Sequence, residues 1–269
     1  MPYADLPGDL RMHYYDDYLG DPWRADDVET IVMHHGQGKN GLLLYGWVPP
    51  LAQDYRVIRI DGRGFGLSSV PEPGYPWSLE GFVQDTMALM DHLGIEKAHY
   101  VGETIGGTMG LHFAHAHPER LLSLTTCTSP FNFIGSQIYV DYYNIVKEKG
   151  TEAWARSNGD VRLDSATADP GHREWYLTQM GKTDANVVME TLAYLGTVDL
   201  TPTLPEITVP SLAIVGEDSG WYRERADKMV EMMQNATLKV LPGVGGFAQH
   251  SAPVESAMAW REWIAGVRV

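Results

Sequence analysis

A single cysteine among 269 residues leaves no internal disulfide and no cysteine-rich zinc site. No uninterrupted apolar run reaches the roughly 18 residues that a membrane-crossing helix needs. No basic-plus-apolar leader stands at the start, so the expected location is the cytoplasm. Positive charge is also scarce. Twenty Lys and Arg face 35 Asp and Glu, a formal charge of -15 that repels phosphate backbones and anionic lipid headgroups. Nucleic-acid and membrane-surface roles are thereby set aside. Internal repeats, low-complexity tracts and long charge runs are missing too. Asn235-Ala236-Thr237 fits a glycosylation sequon, which without a leader reads as chance. What is present is a large apolar fraction: 44% hydrophobic residues with 20% charged ones can bury a sizeable interior, which excludes disordered and fibrous classes. The length suits one large α/β domain, and nothing in the sequence fixes an oligomeric state.

Short apolar runs alternate with segments of helical period, the order that builds a mostly parallel sheet flanked by helices. Strands are predicted at 29–33, 56–60, 98–101, 121–125, 211–215 and 237–241, with an antiparallel one at 10–15. Ser78 reads as an N-cap for a helix whose apolar face carries Leu79, Phe82, Val83, Met87, Met90 and Leu93 and which ends at Gly94. Similar stripes recur at 226–233 and 254–264 and are assigned to core packing. The alternation stops between about 130 and 205. Aromatic-rich helical stretches and no clear strand there predict a helical insertion, a lid. The expected division is a core of 1–130 and 205–269 with a cap of 131–204.

The chemistry-bearing residues follow strand ends. After 98–101 comes Gly102-Glu103-Thr104-Ile105-Gly106-Gly107 and then an apolar helix, a strand, sharp turn and helix with glycines two residues either side of Thr104. His34-His35-Gly36-Gln37-Gly38 follows the strand at 29–33, and Asp61-Gly62-Arg63-Gly64-Phe65-Gly66-Leu67-Ser68 follows 56–60. With these three motifs in this order, and a late P-x-L-x-I-x-G-x-D stretch at 210–218, the sequence resembles the α/β-hydrolase fold superfamily over nearly its whole length. Among capped members it is most similar to enol-lactonases, carbon–carbon bond hydrolases and small-ester esterases.

The resemblance implies a nucleophile, an acid and a base, and at two of the three places this sequence departs from the pattern. The elbow position holds Thr104 where serine is usual. In the late loop, Pro242-Gly243-Val244-Gly245-Gly246-Phe247-Ala248-Gln249 puts Gly246 where the histidine belongs. Asp218 keeps the acid position. Threonine without a base is too weak an acid to attack a carbonyl near neutral pH. His250, four residues on, is the candidate surrogate base if that segment is helical, and a solvated helix-start residue if it is not. The backbone oxyanion hole survives both changes, with the amides of Gln37 and Ile105 as the implied donors. Candidate pocket residues are His35, Glu103, Cys127, Trp154 and Trp175. Asp61 and Arg63 read as an ion pair or loop brace. His112, His115 and His117 cannot share one helix face, so no metal site is expected.

The reading is an α/β-hydrolase-fold enzyme related to small ester, lactone or carbon–carbon bond hydrolases, with no cofactor. Its altered triad implies impaired activity or a route other than Ser-His-Asp. A cofactor-free lyase, isomerase or decarboxylase, or a non-catalytic small-ligand-binding protein, are the alternatives. The lid aromatics favour an apolar or aromatic ester, lactone or ketone. If Gly246 leaves an imidazole-sized vacancy between Asp218 and Thr104, Gly246→His should restore part of the activity, and more with Thr104→Ser.

Overall fold

The computed structural model describes residues 2–164 and 167–267. Eight strands form one sheet in the order β1-β2-β4-β3-β5-β6-β7-β8: Tyr3–Leu6, Leu10–Asp17, Thr30–His34, Arg56–Ile60, Ala98–Glu103, Leu121–Cys127, Ser211–Asp218 and Ala236–Gly245 for β1 to β8. β1 pairs antiparallel with β2 and β2 with β4, and β3 to β8 run parallel. β5 lies in the middle of the sheet, between β3 and β6. Every predicted strand is found, most of them longer than expected. β1 was not foreseen, being only four residues of which two are exposed.

The helices are α1 (Val48–Leu51), α2 (Leu79–His92), α3 (Ile105–Ala116), α4 (Gln137–Ser157), α5 (Gly159–Arg162), α6 (Pro170–Gly181), α7 (Ala185–Leu195), α8 (Trp221–Met232), α9 (Ala248–Ser251) and α10 (Pro253–Val267). Ser78 caps α2 by accepting from the Gly81 amide at 2.9 Å, and Gly94 ends it at φ +70°. One apolar cluster joins α2 and α3 to one side of the sheet through Phe82, Val83, Leu111 and Phe113. A second gathers Trp47, Ile31, Ile214 and Trp260 with α10 on the other.

Between β6 and β7, the helices α4 to α7 share a third cluster of their own, including Trp154, Tyr176, Met180 and Leu192. Polar ties fasten this helical insertion to the loops at the sheet's C-terminal edge. Gln37 Nε2 donates to Thr191 Oγ1 at 2.6 Å, Thr183 Oγ1 donates to the Gly38 carbonyl at 3.1 Å, and the Phe247 amide donates to the Arg162 carbonyl at 3.0 Å. The chemistry-bearing loops therefore meet the insertion at a single edge of the sheet.

Candidate active site

β5 delivers Thr104 to the N-terminus of α3 at φ 47°, ψ −112°. Such a backbone is strained for a β-branched residue, at a cost of about 1–3 kcal/mol. It is held by its neighbours: the Thr104 amide donates to the Cys127 carbonyl at 2.9 Å, and the Thr104 carbonyl accepts from Gly107 at 3.0 Å. The turn after β3 presses against it. A Cβ on Gly36 would lie 1.9 Å from Thr104 Oγ1, so only glycine lets that loop reach the hydroxyl.

Beside Thr104, Glu103 is the centre of a buried polar cluster. Its Oε1 accepts from the Gly36 amide at 2.8 Å, and its Oε2 accepts from Lys39 Nζ at 3.0 Å, from Gln249 Nε2 at 2.9 Å and from His250 Nε2. Lys39 Nζ also lies 3.4 Å from His250 Nε2 and 4.7 Å from the centre of the Phe247 ring. Gln249 is itself fixed, accepting from Thr128 Oγ1 at 3.1 Å. Burial alone would raise the Glu103 carboxyl, but His250, Lys39 and these hydrogen bonds hold it well below the usual carboxylate range. Burial lowers Lys39 to about 8, against the pull of Glu103. Burial likewise lowers His250, against the pull of the Glu103 charge.

Of the expected triad positions, Asp218 and Gly246 lie near one another, since Asp218 pairs with Gly245 across β7 and β8 and Ser219 Oγ donates to the Gly246 carbonyl at 2.7 Å. Asp218 ends β7 exposed. At Gly246 even a Cβ is crowded. A Cβ at Gly246 would meet the Asp164 amide nitrogen at 3.0 Å, Ser251 Oγ at 3.0 Å and the Arg162 carbonyl oxygen at 3.1 Å, from a φ of +62°. Two of these three atoms belong to the backbone of the insertion. His250 is in a helical turn and 4% exposed, which excludes the solvated alternative, but its ring bonds Glu103 and packs edge-on to Tyr176 at 4.9 Å. Gly246→His is accordingly expected to lower stability by about 1–3 kcal/mol and to restore no hydrolysis, alone or with Thr104→Ser. Denaturant unfolding and ester turnover of both variants check this, and recovered turnover would show that 162–164 yields to the ring.

Above Thr104 lies a narrow cavity of about 30 Å³, lined among others by Gln37, Lys39, Ile105, Trp154, Arg162 and Phe247. It has room for little more than a water molecule. Val161 and Tyr222 line both this cavity and a neighbouring groove of about 390 Å³.

Of the remaining candidates, Gln37, Ile105 and Trp154 line the cavity. Cys127 does not: it is fully buried between the sheet and α10, where burial raises its thiol well above the ordinary range. Trp175 instead packs against Tyr45 at 5.6 Å and His172 at 6.0 Å. His35 is a loop brace, its Nδ1 donating to the Gly36 carbonyl at 2.8 Å while its Nε2 accepts from the Gly62 amide at 3.0 Å. Asp61 and Arg63 are not each other's partners. Asp61 pairs with His13 at 2.8 Å and accepts from Gly41, whereas Arg63 makes a two-toothed pair with Asp85 at 2.7 and 2.8 Å. His112 and His117 both bond Glu80, and His115 bonds Glu206. Lys39 and Arg162 were not foreseen. A lysine one residue beyond His-His-Gly-Gln-Gly was a usable signal for the first, while Arg162 stood in a polar stretch with no motif around it.

Sheet order, elbow and loop placement define an α/β-hydrolase-like enzyme, and similarity to known proteins supports the α/β-hydrolase fold superfamily. The family model for the alpha/beta hydrolase fold matches residues 29–151. A RutD protein of Stutzerimonas stutzeri strain A1501, named as a carbamate hydrolase, is 29% identical over 242 residues, 82% of this chain and 86% of its own length. Among solved structures, the enol-lactonase from Burkholderia xenovorans LB400 superposes with a TM-score of 0.86 at 23% identity, covering 98% of both chains. A thermophilic esterase from Thermogutta terrifontis does so with 0.88 at 22% identity over 100% of both. These relatives support a hydrolase-type function.

Proposed function

We propose that this enzyme cleaves a small ester or lactone at Thr104 without a Ser-His-Asp triad, the helices α4 to α7 acting as a cap. The observation that carries the reading is the elbow itself: Thr104 is held in a strained backbone, with its hydroxyl against Gly36 and on a cavity shared with Gln37 and Ile105. Strain of this kind persists only where surrounding contacts impose it, and here they hold Thr104 on a cavity that Gln37 and Ile105 also line.

In the proposed reaction the hydroxyl attacks the carbonyl carbon, the amides of Ile105 and Gln37 take the developing oxyanion, and the alcohol leaves to give an acyl-threonine. Water then releases the acid. Lys39 is the group on the cavity whose proton affinity, at about 8, allows a neutral amine near working pH. It accepts the hydroxyl proton and returns it to the leaving oxygen. The exposed Asp218 and the crowded position at Gly246 favour this route over a weakened triad.

The test is turnover of neutral esters and lactones of graded size, with mass spectrometry of the quenched enzyme. Saturable hydrolysis and an acyl mass on the peptide carrying Thr104 are expected. Binding of one compound without consumption of any would favour a ligand-binding protein instead.

A further inference from the structure

Arg162 ends α5 and is 5% exposed, yet it faces the same cavity as Thr104. Its Nη1 is buried without a hydrogen-bond partner, and no carboxylate pairs with it among the described residues. Its guanidinium lies 4.8 Å from the centre of the Trp154 ring, an arrangement that leaves the N–H edge unused. The main chain at Arg162 is pinned, its carbonyl accepting from the Phe247 amide at 3.0 Å. The other cation on the cavity, Lys39, already has Glu103 at 3.0 Å. Arg162 is therefore the cavity's uncompensated positive charge. A buried cation without a counter-ion is costly, and the planar fork of a guanidinium matches a carboxylate with two parallel hydrogen bonds. Trp154 Nε1 and Tyr176 Oη, also buried and without partners, add neutral donors in the insertion.

We infer that Arg162 binds a ligand carboxylate, so that the substrate is the ester or lactone of an acid that carries a second, free carboxylate. This rests on the reading of Thr104 as the reacting residue and supplies the substrate class that reading leaves open. One unpaired positive charge in a narrow cavity takes one monoanion. A neutral ester would leave Arg162 as it is, and a dianion would overcompensate it.

Isothermal titration with benzoate and butyrate, each against its primary amide at constant ionic strength, tests the inference. The acids should bind at least tenfold more tightly than the amides, and Arg162→Gln should bring acid and amide within about twofold. Arg162→Lys, which keeps the charge and loses the fork, should retain part of the preference and serves if the glutamine variant does not fold. Equal binding of acids and amides overturns the inference, as does a preference that survives Arg162→Gln, no binding of either, or inorganic phosphate and sulfate binding as tightly as the acids. These probes cannot be cleaved. A failure here leaves turnover of neutral esters at Thr104 standing, and a failure of that turnover leaves the acid–amide comparison standing.

Discussion

Thr104→Ala is expected to lower kcat/KM on the best neutral ester by roughly a thousandfold, the scale on which loss of a nucleophile or its base is felt. The amides of Ile105 and Gln37 belong to the backbone and remain, so some acceleration over water should persist. Thr104→Ser keeps the hydroxyl, removes the branched Cβ from a φ of 47° and should match or exceed the parent enzyme. The pH profile identifies the base. Lys39 loses its proton at about 8, so the parent rate should climb through that pH, and Lys39→Met should be slow at every pH with no such rise. Steady-state rates from pH 6 to 10 for the four proteins decide the matter. A Thr104→Ala variant as active as the parent would remove the hydroxyl from the reaction, and an unchanged profile in Lys39→Met would remove the amine.

The second large effect is on stability. Among the described residues Glu103 is the carboxylate paired with Lys39, and Glu103→Ala removes it from a site where both side chains are 1% exposed, which is expected to destabilise by about 3–5 kcal/mol in denaturant unfolding at neutral pH. Replacing both partners, Lys39→Met with Glu103→Gln, should lose much less, because no buried charge is then left alone. The signs with pH follow from the two shifts. Glu103 is held below its ordinary 4.5, so its stabilising share is complete above that pH and fades as pH falls through the lower folded value. Lys39 is lowered from 10.5 to about 8. Between these values the unfolded chain holds the extra proton, so this group's contribution to stability grows as pH rises from about 8 to 10.5, and Lys39→Met should abolish that slope. A Glu103→Ala protein as stable as the parent would show that Lys39 finds water or another partner.

The elbow, the loop after β3 and the six core parallel strands were legible because their signals are local. Glycines either side of Thr104 announce a close turn, and uninterrupted runs such as Ile31-Val32-Met33 announce a strand buried on both faces. Strand ends were less legible. β5 continues through Gly102 and Glu103 and β8 through Pro242 to Gly245, where turn-forming residues suggested a loop. Candidate pocket residues divided along similar lines. Gln37, Ile105 and Trp154 face the cavity, whereas Cys127 and Trp175 do not, because only the packing of helices on the sheet sets which way a side chain turns.

By itself, then, the sequence determined the fold and the position of Thr104 in the turn after β5, since each rests on neighbours within a few residues. The tertiary structure decided what replaced the missing parts. Lys39 and Glu103 are 64 residues apart, and Glu103 and His250 are 147 apart, so no spacing rule joins them. They meet because β3, β5 and β8 end at one edge of the sheet. Gly246 and Arg162 belong to segments whose contact depends on how the insertion docks. That docking put the backbone of 162–164 against Gly246 and brought Arg162 onto the cavity that Thr104 lines. Its energetics lie in packing between distant surfaces, which local pattern does not encode.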